Sequence, residues 1–136
     1  MADPFEEYFG NYAAAFDCFD AERIASYFSC PCLMVNDEFA VALATPEETV
    51  QNMKGLLKFH RTQNVGRAKV SEIRVEELAE NLAMGRVLWR VSDREGVLLW
   101  SWLNTDNLVD HGSGWKIAVS TTHPAAPPTT PNASGR

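Results

Sequence analysis

Apolar residues near the start of the chain recur three and four apart: Phe5, Tyr8, Phe9, Tyr12, Phe16 and Phe19, with Ala13, Ala14 and Ala15 between them. This spacing predicts a helix with a single aromatic stripe. A stripe that broad calls for a sheet to bury it. Asp20 stands where it can cap a second, short helix carrying Ile24, Tyr27 and Phe28, which Ser29-Cys30-Pro31 ends. Residues 33–35 and 39–43 read as short strands about a tight turn at Asn36-Asp37-Glu38. Thr45-Pro46-Glu47-Glu48 has the form of a capping box with proline at the first helical position. The helix it opens runs through Val50, Met53, Leu56, Leu57 and His60 and ends around residues 64–66.

From Ala68 the period changes from helix to strand. Val70, Ile73 and Val75 sit among charged residues, and the alternation breaks near Glu72, which predicts a bulge. After a turn at Glu80-Asn81, residues 82–92 alternate: Ala83, Gly85, Val87, Trp89 and Val91 share one face, and Met84, Arg86, Leu88 and Arg90 the other. Asp93-Arg94-Glu95-Gly96 makes a hairpin turn into residues 97–103, a run apolar on both faces. A last hairpin through residues 110–114 leads into Trp115-Lys116-Ile117-Ala118-Val119. The pattern predicts an α+β domain over residues 1–123 and a Pro-rich tail, 124–136, with too little apolar surface to fold.

Composition narrows the functions. The 136 residues fit one domain, and a net charge of −6 lacks the overall basic footprint of a nucleic-acid binder. No run approaches the roughly 18 apolar residues of a membrane span. The acidic start, Met1 to Glu7, is unlike a signal peptide, so the expected compartment is the cytoplasm. Cys18, Cys30 and Cys32 are odd in number and lack metal-ligand spacing, and no two of the three histidines share a local spacing that would hold a metal. Neither a metal nor a cofactor is expected, since there is also no Gly-rich phosphate loop and no serine elbow.

The order helix, short helix, two short strands, helix, then long hairpin strands resembles the nuclear transport factor 2-like superfamily, which includes SnoaL-like polyketide cyclases and ketosteroid isomerases. The carriers are Tyr12-Ala13-Ala14-Ala15-Phe16, Asp20, Ile24-Ala25-Ser26-Tyr27-Phe28, the strand ending at Asn36-Asp37, and the closing Gly112-Ser113-Gly114-Trp115-Lys116-Ile117. The resemblance covers about residues 5–123. It implies a strongly curved antiparallel sheet wrapped around the first and third helices, the cone-shaped, cystatin-like fold, with an internal pocket. It also implies dimerisation through the outer face of the sheet. The second apolar face of residues 97–103 independently asks for cover, and a homodimer would supply it.

The isomerase members hold an oxyanion with a tyrosine on the first helix and a protonated aspartic acid from a late strand, and use an aspartate at the end of the first strand as base. By position the resemblance carries these roles to Tyr12 and Asp106. The base position falls on Asn36, with Asp37 one residue late, and one residue in a strand reverses the face. Asn36 and Asp37 also make an ordinary turn, and Tyr12 lies on the apolar stripe as a core tyrosine would. A pocket of this kind would be walled by Tyr8, Phe16, Phe28 and Asn36. Trp100 and Trp102, on the face of Asp106, join them if that face is concave and form the dimer contact if it is convex. His123 shares its predicted strand face with Trp115, Ile117 and Val119 and reaches the cavity mouth. Three functions stay open: a small-molecule binding domain, a cofactor-free proton-transfer enzyme (isomerase, dehydratase or cyclase), and an association module.

Overall fold

A computed structural model describes residues 3–124. The Pro-rich segment from residue 125 onward lies outside the described residues, and Pro124, expected in that tail, ends the last strand opposite Trp102. Helix α1 (Pro4–Asp17) begins at Asp3, whose side chain accepts from the Phe5 amide at 2.9 Å, and it buries Phe5, Phe9, Tyr12 and Phe16. Helix α2 (Ala21–Ala25) is capped by Asp20. Helix α3 (Pro46–Thr62) starts at Thr45, whose hydroxyl accepts from the Glu48 amide at 3.2 Å. The reciprocal half of the box goes one residue further back than the motif predicts: Glu48 Oε1 accepts from the Ala44 amide at 2.9 Å.

The strands are β1 (Phe28–Val35), β2 (Ala40–Leu43), β3 (Val65–Ala79), β4 (Leu82–Asp93), β5 (Leu98–Asp110) and β6 (Trp115–Pro124). They form one curved sheet in the order β2-β1-β6-β5-β4-β3. Neighbours are antiparallel except β1 and β6, which run parallel. The expected α+β architecture is therefore the observed one. Several boundaries differ, two of them at a change between helix and strand. Phe28 and the Ser29-Cys30-Pro31 run belong to β1, not to a helix, because Phe28 pairs with Ile117 of β6. The third helix stops at Thr62, and β3 has already begun at Val65.

The core lies between α1 and the concave face of the sheet. Phe9, Ile24, Val87, Val91, Leu108 and Ile117 are fully buried there, and each stabilises the fold by about 1.5–3 kcal/mol. Gly85 lies beneath α1: a Cβ at that position would stand 3.4 Å from the Phe9 ring, in ordinary van der Waals contact. Among the sheet's several register shifts are two bulges. One lies at Glu72, with φ 51, where the β3–β4 register shifts between Ser71 and Arg74. The other lies at Ala118, where the β5–β6 register shifts between Asn107 and Leu108. The extra residue at Ala118 reverses every side chain after it. Ser120 and Thr122 thus turn to the concave face, while His123 turns to the convex one.

Candidate functional site

The cone contains a cavity of about 690 Å³. On one side stand α1 and β1, through Tyr12, Phe16, Phe28 and Met34; across from them α3 contributes Met53, Leu56, Phe59 and His60. The sheet supplies Trp89, Trp100 and Trp102, and beyond them a polar strip of Asn104, Ser120 and Thr122. The concave face is therefore the one that carries Trp100 and Trp102. Trp102 stacks on Trp89 with rings parallel to within 1° and centroids 5.8 Å apart.

Strand alternation builds the polar strip. Trp100, Trp102, Asn104 and Asp106 occupy successive concave positions of β5, with Ser120 directly opposite Asp106 and Thr122 opposite Asn104 on β6. Trp102 Nε1 donates to Asn104 Oδ1 at 2.5 Å, and Thr122 Oγ1 donates to the same oxygen at 3.3 Å. An indole N–H is a donor only, which fixes the amide orientation. Asn104 Nδ2 then donates to Ser120 Oγ at 2.6 Å and to Asp106 Oδ1 at 3.4 Å.

Asp106 is 1% exposed and is the next concave residue past the wall-lining Asn104. Burial pushes its carboxyl up to about 7, offset only in part by the neighbouring Ser120 and Asn104. Its Oδ2 has no hydrogen-bond partner. Burial also holds the Tyr12 phenol well above its ordinary value, with the nearby Asp106 charge adding to the effect. Tyr12 and Asp106 make no direct hydrogen bond with each other. The Tyr12 ring packs against Phe16, Tyr27, Phe28 and Trp89 at centroid distances of 5.3–5.7 Å.

Other predicted residues fall elsewhere. Tyr8 is outside the cavity wall, and its hydroxyl donates to the Tyr27 carbonyl at 2.6 Å. Asn36 lines the mouth, but its Oδ1 accepts from the Glu38 and Phe39 amides at 2.8 and 3.0 Å, so it is tied up in the turn. Asp37 is exposed in that turn and is no part of the wall, a correction to its candidate role as base. His123 is a second correction. The Ala118 bulge places it opposite Leu103, where its Nε2 meets Thr105 Oγ1 at 2.9 Å, away from the cavity.

His60 gains the place that His123 loses. It is 4% exposed, lines the cavity between Phe16 and Trp100, and has a buried Nδ1 without a partner. Burial lowers its pKa, so the ring is neutral near pH 7. The helical period puts it with Val50, Met53, Leu56 and Leu57 on the apolar side of α3. What the sequence withheld is that this side faces an open space. Among the described residues no group of His, Cys, Asp and Glu is placed to hold a metal ion. None of the helices described is long and apolar enough to cross a membrane.

The fold has many solved counterparts. A domain of unknown function from Nostoc punctiforme with a cystatin-like fold superposes with a TM-score of 0.73 at 16% identity, covering 93% of this chain and 81% of that one. An NTF2-like protein with a cystatin-like fold from Novosphingobium aromaticivorans gives 0.72 at 13% identity, over 88% and 78%. The protein Aln2 from a Streptomyces species gives 0.71 at 14% identity, over 90% and 92%. At these identities the likeness concerns the fold alone. No curated protein matches the sequence. The family described as "NTF2-like protein (DUF6841)" matches residues 2–125, which is nearly the whole chain, and the protein belongs to that family.

Proposed function

We propose that the protein binds a flat, largely apolar small molecule with one polar end inside the cone. The observation that carries this is the cavity wall: a stacked Trp89–Trp102 pair beside Phe16, Phe28 and Trp100, ending in the Asn104, Ser120 and Thr122 strip. Apolar walls with a few convergent polar groups are the usual make-up of a ligand site. The partnerless Nδ1 of His60 supports the reading, since a buried polar atom without a partner costs about 1–3 kcal/mol that a ligand group can offset. Free thiols at Cys18, Cys30 and Cys32 agree with a reducing compartment such as the cytoplasm.

Titration with 2-naphthol, followed by tryptophan fluorescence and thermal unfolding, tests the reading. Saturable quenching with a rise in midpoint is expected, and both are lost in Trp102→Ala. Linear, unsaturated quenching with no midpoint shift would sink the proposal.

One observation favours a second reading, cofactor-free proton transfer: Asp106 holds an unpartnered Oδ2 and a carboxyl pushed up to about 7, a value suited to exchanging protons near neutrality. Turnover of an enolisable ketone that disappears in Asp106→Asn would establish it. Homodimerisation stays part of the proposal on the strength of exposed Val97, Leu98 and Leu99. Sedimentation equilibrium returning a monomer mass would end that part.

A further inference from the structure

On the convex face of the sheet, Lys69 of β3 lies directly opposite Arg90 of β4, and Arg74 lies directly opposite Arg86. Directly opposed residues have Cβ atoms about 4.5–5.5 Å apart, and like charges there are destabilising. All four are exposed. The next residues across the sheet, on β5, are Ser101 beside Arg90 and Thr105 beside Arg86, so no acid from that side relieves the repulsion. A chain of net charge −6 thus gathers Arg67, Lys69, Arg74, Arg86, Arg90 and Arg94 on two neighbouring strands and the turn that follows them.

Edge protection explains only part of this. β3 is the last strand of the sheet, and charged side chains on an edge deter pairing with other chains. Arg86 and Arg90 have no such purpose, because β4 is flanked on both sides, by β5 and β3.

At one end of the stripe the cations line a groove of about 600 Å³, formed by Arg67, Lys69, Arg90 and Arg94 together with Ser92 and Asp93. Gly66 shapes it. A Cβ there would lie 2.8 Å from both Arg94 Cα and the Asp93 carbonyl oxygen, so the start of β3 passes under the β4–β5 turn only because residue 66 has no side chain. That close passage brings Arg94 to the same groove as Arg67. Asp93 is committed to the turn, its Oδ1 accepting from the Glu95 and Val97 amides at 2.9 Å each.

We propose that this groove is a second binding site, distinct from the cone, for a small polyanion carrying two linked phosphates. Three arginines and a lysine, from two strands and a turn, line it. Guanidinium forks pair bidentately with phosphate oxygens, and a diphosphate offers adjacent sets of them. Such a ligand also relieves the Lys69–Arg90 repulsion, so binding and stability are linked.

Pyrophosphate tests the site, by calorimetry and thermal unfolding at constant ionic strength. The wild-type chain is expected to bind one pyrophosphate per chain with a rise in midpoint, and to bind orthophosphate at least about tenfold more weakly. The exposed variant Lys69→Glu turns a like-charge pair into an opposite-charge one. Its anion-free midpoint should equal or exceed that of the wild type while pyrophosphate affinity falls at least about tenfold. Arg90→Ser should lose affinity to a similar extent. Trp102→Ala, which alters the cone and not the groove, should leave pyrophosphate binding unchanged, separating the two sites whether or not the cone binds naphthol. Any one of three results overturns the proposal: no pyrophosphate binding up to millimolar concentration, an undiminished response in Lys69→Glu, or a single-stranded oligonucleotide binding more tightly than pyrophosphate, which would mark a polymer surface.

Discussion

The indole of Trp102 donates to Asn104 Oδ1 at 2.5 Å, and through that one contact the ring that stacks on Trp89 also sets the hydrogen-bond polarity of the cavity floor. With Oδ1 held by Trp102 and Thr122, the Asn104 amide N–H groups face Ser120 and Asp106. Asn104→Leu keeps the approximate volume but strands several buried groups at once. Unfolding by urea should show a loss of about 2–4 kcal/mol. Thr122→Val removes a single long contact and should cost no more than about 1 kcal/mol. Equal losses in the two variants would show that the network does not hinge on Asn104.

Asp106 makes stability depend on pH in a stated direction. Its carboxyl is raised from 3.8 to about 7 by burial, so the folded chain keeps a proton that the unfolded chain gives up. The stabilising contribution is complete below pH 4 and is lost as pH rises toward and through about 7. The full loss is on the order of 4 kcal/mol. Asp106→Asn should abolish this descent and be more stable than the parent at pH 8. An unchanged slope in the variant would assign the descent to another group.

His60 acts in the opposite sense. Burial lowers its pKa, so the folded chain resists the proton that the unfolded chain accepts near the ordinary histidine value of about 6.5. Its contribution is present above that value and is lost as pH falls below it. His60→Phe keeps an aromatic ring between Phe16 and Trp100 and should remove this acid-side loss, so that the Asp106 descent between pH 4 and 7 stands unopposed and becomes steeper. Thermal midpoints from pH 4 to 8 for the two single variants and the double variant separate the two groups.

Periodicity made much of the fold legible. The stripe from Phe5 to Phe16 is the buried side of α1, and the alternation from Ala83 to Val91 is the concave face of β4. Alternation puts Trp100, Trp102 and Asp106 on one face, as the structure does, but residues 97–103 are apolar on both sides, so pattern alone does not say which is concave. Stacking of Trp102 on Trp89 decides it. His123 shows what defeats a period-two reading: one extra residue at Ala118, in a stretch with no glycine or proline to announce it, reverses the strand beyond. The same bulge hid Ser120 and Thr122 from the site. Asn104 was within reach, since it stands two residues from both Trp102 and Asp106. Phe28 follows Ile24 and Tyr27 at helical spacing, but a short apolar run fits either period, and only its long-range pairing with Ile117 makes it strand.

Two glycines with opposite environments give the last prediction. Gly10 lies within α1, exposed, with nothing inside 4 Å of an added Cβ. Glycine in a helix interior carries a backbone-entropy cost relative to alanine, so Gly10→Ala should stabilise the protein by about 0.5–1 kcal/mol. Gly66 has backbone atoms of Asp93 and Arg94 at 2.8–2.9 Å from the same hypothetical Cβ. Backbone cannot rotate aside as a side chain can, so Gly66→Ala must separate β3 from the turn and should destabilise by about 1–3 kcal/mol. Urea midpoints of the two variants, moving in opposite directions from the parent, check both. If Gly66→Ala is neutral, the β4–β5 turn yields without cost, and the tight passage that gathers Arg94 beside Arg67 is not held by the fold.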